Sequence, residues 1–198
     1  MSQASFIESI SPEDYNTITS MVGNVTSRPA CVEKFGWGLI APKELCNLVN
    51  YLKEILSEED MKHPILSVGC GKHTVESAMA HHNVKFVLTD LEPCKGDACV
   101  SEADCVRAML RHAPVCKVLF SSWPPYDSSM LSEGLQAVRV VNPEAYEYLI
   151  YIGEGPLGST GSYDMHEYLE DHYDILRRFE CCQWPGIADE CLLFRRKQ

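Results

Sequence analysis

From Pro64 to the C-terminus, short β-rich runs alternate with helix-like stretches, and this grammar constrains the fold more than any other feature of the chain. The runs are PILSV (64–68), KFVLTD (85–90), KVLFSS (117–122), YLIYIG (148–153), DILRRFECC (174–182) and ECLLFRR (190–196). Between them lie HTVESAMAHH (73–82), ADCVRAMLRH (103–112), a stretch around 129–147 interrupted by Pro143, and SYDMHEYLEDH (162–172). Strand–helix alternation at this spacing predicts an α/β chain with a mostly parallel, doubly wound sheet of about six to seven strands and helices on both faces. The last two runs are joined only by QWPGIAD, which has no room for a crossover helix. They are therefore expected to pair as an antiparallel C-terminal hairpin.

The N-terminal part has a different pattern. In APKELCNLVNYLKEILSEED, residues Leu45, Leu48, Val49, Leu52, Ile55 and Leu56 fall on one helical face, and Pro42 suits a first helical turn. The 198 residues suit one domain, with a helical extension over 1–60 and an α/β core over 61–198. The opening MSQASFIESISPED carries acids early and lacks a basic and then apolar run, so no secretory signal is expected. No apolar stretch approaches the roughly 20 residues that cross a bilayer, and no membrane partner is expected.

Charge and cysteine usage narrow the function classes. The formal net charge of −11 repels phosphate backbones, which disfavours nucleic acid and favours a small-molecule or protein partner. Ten cysteines occur without a CxxC pair; Cys94, Cys99 and Cys105 are spaced wrongly for a metal site, and Cys181 and Cys182 are adjacent. Free, mostly buried thiols in a reducing compartment are the expectation, meaning a cytoplasmic or nuclear protein with no metal. His81 and His82 point in different directions on a helix and suit its C-terminal end.

The chemistry-bearing motif is SVGCGKHTVES. Gly69 and Gly71 follow an apolar strand directly and precede a helix. Glycine there allows a sharp turn and a close approach of ligand to backbone. Asp90 closes the next strand, 21 residues after Gly69, where a carboxylate faces the same crevice and can accept both hydroxyls of a ribose. The blander reading of the same residues is a tight turn and a solvated aspartate.

VGCG after a strand, the acid after the second strand and the terminal hairpin together resemble the class I S-adenosylmethionine-dependent methyltransferases. The resemblance spans about residues 35–196, and FGWGLIAPKEL is similar to a segment that lies over the cofactor in some members. It implies a Rossmann-like core, S-adenosyl-L-methionine as cofactor and a transferase activity. Residue by residue, it implies that Gly69 and Gly71 line the methionine part and that Trp37 lies over the cofactor. Asp90 would hold the ribose, Leu91 flank the adenine and Asp104 meet the adenine amino group. Ser121 and Ser122 would face the sulfur and the substrate. The family usually has an acid two residues before the first glycine, where this chain has Ser67, and a third glycine where it has His73. The helix after the second strand is also nearly absent, because LEPCKGDACVSEAD leaves little room for one.

A second constellation, SSWPPYDSS (121–129), lies at the C-terminal end of the run KVLFSS, which is the fourth strand when a short third strand precedes SEAD (101–104). It is similar to the NPPY motif of methyltransferases acting on amino nitrogens, with Trp123 in the Asn position; an indole donates but does not accept as an amide carbonyl does. Ser122, Trp123, Tyr126 and Asp127 are the candidates for substrate contact and proton removal. The alternative is a Pro-Pro turn with its aromatics packed on the sheet. GEGPLG (153–158) matches GxGxxG after a strand, but Asp174 precedes its strand instead of ending it. That stretch reads as a rim loop, with Glu154 a candidate acid or base.

Three functions remain open from the sequence. The first is a methyltransferase acting on a small-molecule or protein acceptor. The second is a catalytically inactive protein of the same fold that binds cofactor or a partner, which Ser67 and His73 favour. The third is an NAD(P)-dependent oxidoreductase, which rests on the glycine patterns alone.

Overall fold

A computed structural model describes residues 7–23 and 28–198. Three helices precede the sheet: α1 (Pro12–Ser20), α2 (Arg28–Phe35) and α3 (Pro42–Ile55). The expected N-terminal helical extension thus lies partly outside the described residues, at 1–6 and 24–27. Each start follows local chemistry. The Ser11 side chain accepts from the Asp14 N–H at the head of α1, and Pro12 and Pro42 occupy first turns, where a missing N–H costs nothing. The α3 face foreseen from its spacing is the buried one, with Leu45, Leu48, Val49 and Leu52 inside.

The core then runs β1 (Ile65–Val68), α4 (Thr74–Ala80), β2 (Phe86–Asp90), β3 (Val100–Glu102), α5 (Cys105–His112), β4 (Val118–Ser122), α6 (Met130–Val141), β5 (Tyr148–Gly153), α7 (Tyr163–His172), β6 (Tyr173–Glu180) and β7 (Glu190–Arg196). They form one seven-stranded sheet in the order β3-β2-β1-β4-β5-β7-β6. Strands β1 to β5 are parallel, while β7 runs antiparallel between β5 and β6. No helix separates β2 from β3, as the length of that stretch requires. Helix α6 stops at Val141 instead of continuing through the proline, because a residue before proline is pushed out of the helical region.

Side chains alternate across the strands and build two cores. On one face Ile65, Phe86, Phe120, Ile150 and Ile152 pack with α1, α3 and α4; Phe86 and Phe120 meet edge to face at 6.0 Å. On the other, Leu66, Val68, Leu119, Leu149 and Tyr151 pack with α5, α6 and α7. The chain moves outward from β1 in one direction, through β2 to β3, and from β4 in the other. The β1/β4 boundary is therefore the point where strand order reverses, and open α/β sheets bind ligands beyond the carboxyl ends of the strands at such a point. Among the described residues, no helix is long and apolar enough to cross a membrane. No disulfide joins the ten cysteines: five are buried, four are half-buried and Cys46 is exposed.

Candidate functional site

The turn after β1 is left-handed at both glycines, with φ of 62° at Gly69 and 51° at Gly71. A Cβ on Gly71 would meet nothing within 4 Å, so the turn faces open space. The Gly71 N–H donates to Asp90 Oδ2 at 2.9 Å, and the Glu92 N–H donates to Oδ1 at 2.9 Å. Parallel pairing of β1 with β2 brings Asp90 to this turn, and its carboxylate keeps lone pairs for hydroxyl donors.

His73 takes the N-cap position of α4 with φ of 41°. Its Nε2 lies 2.7 Å from Asp97 Oδ2 and its Nδ1 3.0 Å from Ser77 Oγ. In place of a third glycine, the imidazole ties the β2–β3 connection to the head of α4. Burial pushes the Asp97 carboxyl up, but the hydrogen bonds from His73 and the Cys99 N–H outweigh it and hold the group below the usual range. Ser67 is wholly buried and donates to Glu76 Oε1 at 2.6 Å. Burial raises the Glu76 pKa, and the Ser67 hydroxyl opposes that rise.

Above the strand ends runs a strap, Phe35 to Ala41. The Ala41 N–H donates to the Glu180 carbonyl at 2.9 Å, the Cys182 N–H to the Leu39 carbonyl at 2.7 Å, and the Tyr15 hydroxyl to the Ile40 carbonyl at 2.9 Å. Gly38 lies so close to the strand ends that a Cβ would sit 2.7 Å from Ser122 Oγ and Ile152 Cγ2 and 2.9 Å from Trp123 Cδ1. Trp37 stacks on Trp123 at 4.6 Å, 15° from parallel, and the Arg28 guanidinium covers the Trp37 ring at 4.8 Å. Between strap and glycine turn is a cavity of about 260 Å³ whose walls include Gly36, Trp37, Gly71, Glu76, Ser122 and Trp123.

Beyond Trp123 the loops at the strand ends bond to one another, and a second cavity of about 410 Å³ opens between the 153–156 loop, α7 and β6. Trp123 has φ of 52°, and its Nε1 donates to Asp189 Oδ1 at 2.9 Å. Asp189 is 2% exposed, its Oδ2 has no partner, and burial pushes its pKa up to about 7. The Pro-Pro turn is tied to the 153–161 loop through the Asp127 N–H to the Gly161 carbonyl at 3.0 Å. Inside that loop Glu154 accepts from the Ala188 N–H at 2.9 Å and the Ser159 N–H at 2.8 Å. The Ala188 contact in particular holds its pKa low. Glu154 is thus a clasp between two loops, and it fills the GEGPLG turn: a Cβ on Gly158 would lie 2.2 Å from Glu154 Cβ.

The structure brings Trp37, Gly69, Gly71, Ser122 and Trp123 together around one cavity, with Asp90 bonded to the turn that lines it. Ser121 is fully buried with an unpartnered hydroxyl. Leu91 is 65% exposed and Tyr126 76% exposed at the outer rim. Asp104 caps α5, accepting from the Arg107 N–H at 2.8 Å. Glu76 and Asp189 escape sequence reasoning. An acid amid Val75, Ala78 and Met79 was a faint signal for Glu76. Asp189 stands 66 residues from Trp123 and has no local signature.

No protein-family model and no curated protein sequence matches the chain. Among solved structures it is similar to a magnesium protoporphyrin IX methyltransferase from Synechocystis PCC 6803. With S-adenosylhomocysteine bound to that protein, the TM-score is 0.53 at 14% identity, covering 93% of this chain and 100% of the other. With S-adenosylmethionine bound, it is 0.50 at 13% identity, covering 93% and 98%. A SAM-dependent methyltransferase from Archaeoglobus fulgidus overlaps at 0.47 and 10% identity, covering 86% and 99%. Over 93% of its length the chain has the fold of the class I Rossmann-like methyltransferases.

Proposed function

We propose that the chain is an S-adenosylmethionine-dependent methyltransferase acting on a small-molecule or protein acceptor. The observation that carries this reading is the cavity between the strap and the left-handed Gly69–Gly71 turn, with Asp90 at the adjoining strand end. It lies at the strand-order reversal of a methyltransferase fold, and its residues fit the cofactor. Open space at Gly71 admits the methionine portion against bare backbone, and Asp90 offers acceptor lone pairs to ribose hydroxyls. The strap lies across the cavity, with Trp37 in its wall. When bound, S-adenosylmethionine supplies a methyl group already activated by its sulfonium.

What remains for the protein is chiefly alignment. Ser122 and Trp123 stand where the cavity meets the end of β4, on the route from cofactor to acceptor. Tyr126 and Asp127 lie on the exposed rim, suited to contacting an acceptor that approaches from outside. A second reading, a cofactor-binding protein without catalysis, draws on the Trp37–Trp123 stack, which closes the acceptor side. The oxidoreductase reading loses support because Glu154 fills the GEGPLG turn with an acid that would repel a diphosphate.

Calorimetric titration with S-adenosylmethionine, S-adenosylhomocysteine, NAD and NADP tests the proposal. Binding of the first two and not the others is expected. Preference for NAD, or no nucleoside binding, overturns it. Cofactor binding with no methyl transfer to any component of a cell extract favours the second reading.

A further inference from the structure

The amino-acid end of S-adenosylmethionine carries an ammonium next to a sulfonium, and a site for it needs negative charge. The strand leading into the glycine turn offers none: Ser67 stands two residues before Gly69, and its buried hydroxyl is spent on a neighbour. That neighbour is a carboxyl. Glu76, on the first turn of α4, is 2% exposed, receives the Ser67 hydroxyl on Oε1 at 2.6 Å and lines the cavity beneath the strap. A carboxylate taken this far from water costs several kcal/mol unless cationic charge or hydrogen bonds compensate it. The Ser67 hydroxyl and the Glu76 backbone N–H together do not offset its burial. The titratable groups around it are the Cys70 thiol and the His73 imidazole, whose Nε2 is already directed to Asp97; Lys72 lines the same cavity but is exposed.

We propose that Glu76 holds the cationic amino-acid end of the cofactor, supplying from the helix the charge that Ser67 cannot supply from the strand. Ser67 is then a positioning residue: its hydroxyl fixes one carboxylate oxygen and leaves the other for the ligand. The geometry explains how a serine stands at this strand position without leaving the cavity uncharged. It also explains why an acid is buried in a helix that otherwise packs Val75, Ala78 and Met79 against the sheet. The assignment rests on the methyltransferase reading above.

The test compares three ligands on the full chain: S-adenosylmethionine, S-adenosylhomocysteine and methylthioadenosine, the last lacking the amino-acid end. Glu76→Gln keeps the shape and removes the charge. It should weaken the first two ligands by about 10- to 100-fold, the loss expected for a charge-assisted hydrogen bond, and leave methylthioadenosine within about twofold. Adding Ser67→Asp to Glu76→Gln returns a carboxylate to the same spot and should recover most of the loss. If Glu76→Gln does not fold, S67D/E76Q against S67N/E76Q makes the same charge comparison. Equal weakening of all three ligands, or no weakening, makes Glu76 a packing residue and overturns the assignment. A wild-type chain that binds none of the three overturns the methyltransferase reading itself.

Discussion

At the ends of β1 and β2 the backbone turns on glycine and leaves a cavity; at the ends of β4 and β5 it turns on Trp123 and Gly153, and the loops there bond to one another over the strand ends. On the first side, polar groups border open space: Asp90, Glu76 and the bare backbone at Gly71. On the second, several polar groups bond to one another across loops, although Asp189 Oδ2 and the Ser121 hydroxyl stay unpartnered. Trp123 is bonded to Asp189, Glu154 to Ala188 and Ser159, and the Pro-Pro turn to Gly161. The difference teaches which half is preformed. On the proposed function, the cofactor shared by every turnover would meet a standing cavity. On the same reading, the acceptor side is covered by the Trp37–Trp123 stack, which would have to part to admit a substrate.

The same substitution on the two sides should therefore break different things. Gly38→Val puts side-chain atoms into the Ser122, Ile152 and Trp123 contacts, so a stability loss of about 3 kcal/mol is expected by urea unfolding. At Gly71 a Cβ meets no atom within 4 Å, so Gly71→Val should cost about 1–2 kcal/mol of stability, chiefly through its left-handed φ, yet abolish most cofactor affinity. Equal stability losses would erase the contrast. Within the open half, Asp90→Ala should weaken S-adenosylmethionine by about 1.5–3 kcal/mol in calorimetry, through lost charge-assisted hydrogen bonds to the ribose.

In the closed half, Trp123→Ala removes the stacking partner of Trp37 and the donor to Asp189. About 2 kcal/mol of stability should go with it, since the side chain is only half-buried. Transfer should fall far more than cofactor affinity. Tyr126→Ala, at an exposed position, should change stability by less than about 0.5 kcal/mol while lowering transfer. Intact transfer in both variants would reduce the Pro-Pro turn to packing.

The smallest effect is a pH slope. Burial raises the Asp189 pKa to about 7, above its unfolded value. Between about pH 4 and pH 7 the folded chain keeps a proton that the unfolded chain releases. Stability from this group is thus lost as pH rises through that window, by about 1.4 kcal/mol per pH unit at the steepest. Asp97 and Glu154, held low, act oppositely: their contribution is present above about pH 4 and goes as pH falls below it. Asp189→Asn should flatten the slope between pH 4 and 7 in unfolding titrations and leave the acid limb unchanged. A slope that persists would show that Asp189 is already ionised in the fold.

Local physics made the sheet and the open half legible. Alternation of runs implies crossover helices, a seven-residue connection forces an antiparallel pair, and glycines after an apolar strand announce a backbone that something must approach. Gly69, Gly71 and Asp90 are near enough in topology for pairing of adjacent parallel strands to unite them. The tertiary structure alone decided the rest. That Ser67 leans on Glu76 depends on how α4 rolls against β1. That Trp123 meets Asp189 depends on β7 inserting between β5 and β6, and that Trp37 lies on Trp123 depends on the strap pairing with residues 180–182. A sequence pattern carries a residue's own turn and its own face, whereas contacts across 66 or 86 positions arise only when separate elements pack into one edge.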